Sequence, residues 1–443
     1  MGSNKFPQRK QMACRSKTSL LKNTIALSAP NWANPFVSLL LVYVLSRRLG
    51  VEGVGQYAIL SSYMSVFTTI ASMGLGGLVV REISRKPSEV NAYAANSLLF
   101  GFLSSALAII VMDCFLQFMN YDRELSLALI IGSASLFPAC CSRFMESVFL
   151  AVERAEFIAL GQFFDNLAKV ILCIIFILLG YGIVAISTMT AVAKVFGFSL
   201  LVVFYFRVVG VLSTRFDSNV WGILLKGSPT FLGIAIFSSI YLNIDVIMLS
   251  KLGNVSSVGI YSAALKINQL CVIVPTAFSF AVLPSFSRSF VDGLESLRKN
   301  TQLSIHYLLV ICIPLVVGII VLADKLISLI YGQDFGSSAP VLRLMAPSLV
   351  LYSLVLVLSQ VLIAANYQRV ELCINFVAAI LVVSLNFLLI PRYAEFGAAL
   401  AGVLTVLCFV ILQVMFVNRN MFPLCLIRPA IKPLLASSAM VIV

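Results

Sequence analysis

The chain has 443 residues, 60% of them hydrophobic and only 11% charged, with a formal net charge of +13 and a mean hydropathy of +1.02. A soluble domain carries roughly a quarter charged residues, so this composition excludes a soluble enzyme and turns the positive charge away from nucleic acid. What remains is an all-α integral membrane protein: apolar runs of about 20 residues, enough to cross a bilayer as a helix, recur along the whole sequence without the alternation of a barrel strand.

Residues 1–21 are polar and basic (Lys5, Arg9, Lys10, Arg15, Lys17) and lack the small-residue cleavage site of a signal peptide. Twelve spans are predicted, at 22–46, 55–80, 91–118, 125–150, 157–180 and 183–206, then at 222–250, 256–284, 303–323, 339–366, 371–390 and 395–417. The segment 207–221 links the first six (22–206) to the last six (222–417), and 418–443 holds a loop and an incomplete thirteenth span after Pro433. Loops are short, the longest being about 20 residues on either side of the ninth span, so no stretch is expected to fold alone. Of the 31 Lys and Arg, 20 fall on the side of the two termini, 6 on the other side and 5 inside spans. Basic loops stay in the cytoplasm, so both termini are predicted there.

The ten cysteines are scattered through apolar spans with no C-x-x-C pair, and the adjacent Cys140 and Cys141 lack metal-ligand spacing; all read as small core residues. No Walker-type glycine loop and no Asp-x-Asp occurs, and no loop is long enough for a catalytic domain, so a membrane enzyme of polysaccharide assembly is disfavoured and no cofactor or metal is implied.

The two halves resemble each other. Ser28-Ala29-Pro30-Asn31-Trp32 opens the first span, and Gly227-Ser228-Pro229-Thr230-Phe231 the seventh. The first turn reads Leu49-Gly50 and then Val54-Gly55-Gln56-Tyr57-Ala58; some 203–204 residues later come Leu252-Gly253 and Val258-Gly259-Ile260-Tyr261-Ser262. Six spans per repeat give parallel repeats about an axis along the membrane normal, an arrangement that encloses a central cavity and rocks to give alternating access.

These turns, with Asn243-Ile244-Asp245 leading into Val258 to Ile267, and Pro391-Arg392-Tyr393-Ala394-Glu395-Phe396-Gly397 leading into the last span, resemble the Wzx-type oligosaccharide flippases of the multidrug/oligosaccharidyl-lipid/polysaccharide (MOP) exporter superfamily. The resemblance covers nearly the whole chain. It implies a multi-pass transporter of the bacterial inner membrane that flips undecaprenyl-diphosphate-linked oligosaccharide units for polysaccharide or O-antigen synthesis. Its partners would be the lipid-linked oligosaccharide, membrane lipids and the polysaccharide polymerase and chain-length proteins. A cation-coupled multidrug-type antiporter of the same superfamily is the alternative.

Eight ionisable residues fall inside spans: Arg143, Glu146, Asp165, Lys169, Lys194, Asp245, Lys266 and Arg343. Each costs at least about 2.5–3.5 kcal/mol on insertion scales, so each needs a partner or a wet cavity. Arg143 with Glu146, and Asp165 with Lys169, are spaced as intrahelical ion pairs; the same four also suit a cavity wall, and both readings stand. Lys194 and Lys266 have no acid at helical spacing. Together with Arg143 and Lys169 they are the candidate substrate site, because ammonium and guanidinium groups bind phosphate. Their surplus over the acids disfavours an organic-cation exporter, whose walls would be acidic. Glu146, Asp165 and Asp245 are the candidates for ion coupling, Asp245 having Lys251 as an alternative partner. Arg343 is expected to snorkel to the outer interface, and His306, the only histidine, to be a packed residue. Pro229, Pro275 and Pro314 are among the prolines that would kink spans.

Overall fold

A computed structural model describes residues 17–210, 216–424 and 426–442. The basic segment 1–16 and part of the 207–221 linker lie outside the described residues. The chain folds as helices throughout: α1 (Lys17–Ala71), α2 (Gly76–Arg85), α3 (Val90–Met119), α4 (Arg123–Ser133), α5 (Leu136–Ala151), α6 (Ala155–Leu178) and α7 (Ile183–Val208) in the first half. The second half has α8 (Ser218–Leu252), α9 (Val255–Val291), α10 (Leu294–Ile330), α11 (Ser338–Met345), α12 (Pro347–Ala364), α13 (Gln368–Asn420) and α14 (Ile427–Ile442). Among the described residues, nine helical stretches are long and apolar enough to cross a membrane, or ten if the bent α8 counts as one.

Several predicted span boundaries coincide with breaks in these helices. Inside α1, Gly50 adopts φ 65°, ψ −160°, a left-handed backbone that costs glycine little because it has no Cβ. Inside α13, Ala394 interrupts the helix with φ 43°. The predicted fourth span is split into α4 and α5, and the tenth into α11 and α12. α8 bends by 46° where Ser218–Pro229 meets Phe231–Phe237. Pro229 has no N–H for the Leu225 carbonyl, and the Ser228 hydroxyl donates to that carbonyl instead, at 2.9 Å.

The long loop expected before the ninth span is not a loop, and the one expected after it shortens to residues 331–337, which include a 3-10 turn at Gln333–Phe335. α9 continues to Val291 and α10 begins at Leu294, with Gly293 at φ 116° making the turn. The polar stretch Glu295 to Asn300 is rich in helix formers, and it buries Leu297 and Thr301 while exposing its charges, so polarity had hidden an amphipathic helix end.

The turns at Gly50, Asn120, Gly253 and Gly332 gather at one end of the bundle, here the turn end, where Arg47 meets α10 and Lys251 meets α3. The turns at Lys86, Glu153, Gly293 and Asn366 belong to the other end. Buried apolar residues divide accordingly. One core cluster at the turn end joins both halves, uniting Leu41, Tyr63 and Leu129 with Val258, Ile319 and Leu349. Away from it, two further clusters stay apart: one runs from Ala71 to Leu224, the other from Phe286 to Phe422. Apolar packing thus unites the halves at the turn end, while away from it the first part of α8, through Val220 and Leu224, packs with the first half rather than with its own.

Candidate functional site

Helices α1, α5, α6 and α7 surround a cavity of about 510 Å³ whose wall carries Arg143, Glu146, Asp165, Lys169 and Lys194. A second space, about 300 Å³, lies between the halves and is lined by Lys169, Lys266, Asn243 and Gln269. Lys169 lines both, so the two spaces adjoin at its side chain. Lys266 in turn also lines a cleft of about 320 Å³ bounded by α1, α6 and α9, with Asn34, Ser38 and Asn166. The structure therefore brings six of the seven predicted site residues around connected spaces. The seventh, Asp245, lines a pocket of about 190 Å³ within the second half that shares Leu242, Val246, Leu265 and Gln269 with the second space.

Local packing explains the pairing inside the cavity. On α7 a Cβ at Gly197 would stand 2.8 Å from the Asp165 Cβ, so the bare glycine lets α6 seat Asp165 against α7. There Lys194, one turn earlier, donates to Asp165 Oδ2 at 2.6 Å. This corrects two readings: Asp165 pairs across helices rather than with Lys169, and Lys194 does have an acid. Arg143 and Glu146 form no ion pair either; Glu146 accepts from Gln162 Nε2 at 3.0 Å. Among the described residues, Arg143, Lys169 and Lys266 have no acidic partner within 4 Å. Asp165→Ala is expected to cost stability, up to about 3 kcal/mol for a broken buried pair and less here because the Lys194 side chain is 36% exposed. Asp165→Ala/Lys194→Ala should recover most of the loss. Thermal unfolding in detergent decides: equal melting of wild type, single and double variants would show that the pair carries no stability.

Asp245 sits in a neutral cradle. Its Oδ1 accepts from Asn386 Nδ2 at 2.5 Å and its Oδ2 from the Tyr261 hydroxyl at 2.9 Å. Asn386 is fully buried, yet its Oδ1 has no hydrogen-bond partner among the described residues. The alternative partner Lys251 donates instead to the Met119 carbonyl at 2.7 Å; six residues on, it does not share a helix face with Asp245. Arg343 pairs with Asp324 and donates to the Ile320 carbonyl at 3.2 Å.

The turn end is closed by contacts that recur across the halves. A Cβ on Gly55 would lie 2.1 Å from the Val255 carbonyl oxygen, and one on Gly259 would lie 2.1 Å from the Val51 carbonyl oxygen. The two contacts are reciprocal, each residue lying 204 positions from its counterpart. Helices cross this closely only where both lack a side chain. Arg47 donates to the Ser328 and Leu329 carbonyls at 3.1 and 3.2 Å, placing a cation at the C-terminal end of α10; Lys251, 204 residues later, does the same for α3. Cations there offset the negative end of the helix dipole. Tyr121 bridges Ser250, at 2.6 Å, and Tyr63, at 3.0 Å, and burial pushes its phenol above the ordinary value, so it stays neutral. The sequence reading used these glycines as a repeat and family signature, named Tyr261 only within it, and missed Asn386 and Gln162 because it searched for charge.

Comparisons with known proteins agree with this geometry. The family model described as "Polysaccharide biosynthesis protein" matches residues 20–290, and that described as "MatE" matches residues 229–388. An Escherichia coli K12 protein named for O-antigen transport is 24% identical over 430 residues, spanning 93% of this chain and 99% of its own. Among solved structures, the lipid II flippase MurJ in an inward closed conformation superimposes with a TM-score of 0.81 at 16% identity, covering 94% of this chain and 92% of that one. An inward-facing multidrug resistance MATE transporter of the MOP superfamily gives 0.71 at 15% identity, over 94% and 98% of the two chains.

Proposed function

The chain belongs to the polysaccharide biosynthesis protein family of MOP-superfamily membrane transporters, and from that premise we propose that it flips an undecaprenyl-diphosphate-linked oligosaccharide across the bacterial inner membrane by alternating access. It is a multi-pass transporter that likeness to Wzx, MurJ and MATE proteins sets apart from enzymes. The finer reading takes twelve crossings in two six-helix lobes. Support comes from Ala33–Arg85 and Gln368–Asn420, 53 residues each, which at 1.5 Å per residue are long enough to cross a core of about 30 Å twice. With both termini cytoplasmic, as the basic loops indicate, the turn end is the outer end in this reading.

One observation carries the substrate reading: Lys169 and Lys266, neither with an acid partner among the described residues, stand where the two cavities and the α1–α9 cleft meet. A diphosphate at that junction gains two cations, and its sugars occupy the larger cavity beside Arg143 and Lys194. The prenyl tail leaves through the cleft into lipid, so only the polar headgroup crosses. Outward release requires the Gly55–Gly259 crossing to part and the opposite end to close.

Asp245 is the coupling group in this reading. A carboxylate held by neutral donors, beside an amide oxygen that lacks a partner, suits a cation or proton better than a structural ion pair. Asp245→Asn is expected to leave the chain folded and to remove the dependence of transport on the ion gradient; transport by this variant that still follows the gradient would exclude the role. The functional test is expression in a bacterium lacking its own oligosaccharide flippase. Restored surface glycan supports flipping. A correctly inserted chain that restores no glycan and instead exports organic cations would favour the antiporter.

A further inference from the structure

We propose that the second half holds a second monovalent-cation site, built on Glu371 and Gln413, at the end of the bundle opposite the Gly55–Gly259 crossing. Glu371 lies in the first turn of α13 and draws three segments together. Its Oε1 accepts from the Ser359 hydroxyl of α12 at 2.6 Å and from Asn375 Nδ2 at 3.2 Å. Its Oε2 accepts from Gln413 Nε2 at 3.0 Å, and Gln413 Nε2 also lies 3.0 Å from the Ser359 oxygen. Among the described residues no Lys or Arg pairs with Glu371. Gln413 is fully buried, yet among the described residues its Oε1 has no hydrogen-bond partner.

The design repeats that of Asp245. In both places a carboxylate within the bundle is held by neutral donors, one of them a fully buried amide of α13 whose oxygen is left over: Asn386 Oδ1 there, Gln413 Oε1 here. A buried carbonyl without a donor and a carboxylate without a cation are each unfavourable in a membrane. A hard monovalent cation offsets the carboxylate charge and, because hard cations take oxygen ligands, also takes an amide oxygen once that amide turns toward it. Half a turn of the Gln413 or Asn375 amide exchanges its nitrogen for its oxygen, presenting carbonyls beside the carboxylate and the Ser359 hydroxyl. Glu371 and Asn386 are 15 residues apart on α13, about 22 Å at helical rise, so the two stations divide most of the membrane thickness between them. The inference extends the coupling reading of Asp245, and the test separates the two.

The test is binding of radioactive sodium to the purified full chain in detergent, counted per chain. The expected result is two ions for wild type, one for Glu371→Gln and one for Asp245→Asn. Gln413→Met, which keeps the carboxylate and removes the leftover carbonyl, should weaken one site at least tenfold and carries the test if Glu371→Gln does not purify. Binding unchanged by Glu371→Gln and Gln413→Met but reduced by Asp245→Asn overturns the Glu371 site and leaves the Asp245 reading standing. A single ion lost in Glu371→Gln and kept in Asp245→Asn supports the Glu371 site and overturns the other. No sodium bound to wild type overturns the Glu371 site and leaves Asp245 only the proton role.

Discussion

Gly55→Ala and Gly259→Ala are each expected to reduce transport by about 5- to 150-fold while leaving a folded, inserted chain. Each new Cβ would fall 2.1 Å from a backbone carbonyl oxygen of the other half, and a backbone atom cannot swing aside as a flexible side chain can. Overpacking of this kind costs about 1–3 kcal/mol, which corresponds to about 5- to 150-fold in a conformational equilibrium. The cost falls only on the state in which the turn end is closed, because parting of the halves removes the contact. A cysteine pair placed across the crossing, at exposed positions flanking it, should cross-link less readily in either variant than in the same pair on the wild-type background. The double variant should fall short of the product of the singles, since both residues act at one crossing. Full transport with undiminished cross-linking would show that the crossing is not a gate.

Lys169→Ala/Lys266→Ala is the second large effect. A hydrogen bond to a charged group contributes about 1.5–3 kcal/mol, so losing both cations from a shared diphosphate site predicts a fall in transport of at least a hundredfold. Lys194→Ala should do less to substrate affinity, because Asp165 already holds that ammonium at 2.6 Å. Stability separates the two classes: the Lys169/Lys266 variant removes no ion pair and should melt near wild type, whereas Lys194→Ala leaves Asp165 unpaired. A Lys169/Lys266 variant that transports normally would remove the cationic junction from the mechanism.

Much of this was legible in the sequence because membrane burial is a composition signal. Apolar length fixed where helices run, and intramembrane charge marked Arg143, Glu146, Asp165, Lys169, Lys194 and Lys266, which do line connected cavities. Their partners were not legible. Spacing along one helix offered Lys169 to Asp165, but the choice of Lys194 depends on Gly197 clearing a path between α6 and α7, a property of two helices together. Neutral cradles were hidden for a related reason: Asn386, Tyr261 and Gln413 look like ordinary polar residues of apolar spans until packing places them around a carboxylate. The helical ends of α9 and α10 were read as loops because their charges face outward while Leu297 and Thr301 are buried.

The central claim is that this chain moves a diphosphate-linked glycan headgroup across a bilayer, and headgroup accessibility in proteoliposomes tests it most directly. The purified chain is reconstituted with an undecaprenyl diphosphate sugar bearing a fluorophore on the glycan, and a membrane-impermeant reductant is added outside. The prediction is that bleaching proceeds beyond the outer-leaflet share to nearly all of the probe with wild type, and stops at the outer-leaflet share with Lys169→Ala/Lys266→Ala. Bleaching that stops at the outer-leaflet share with the wild-type chain across glycan types, with the same vesicles accumulating or expelling an organic cation, would contradict the account.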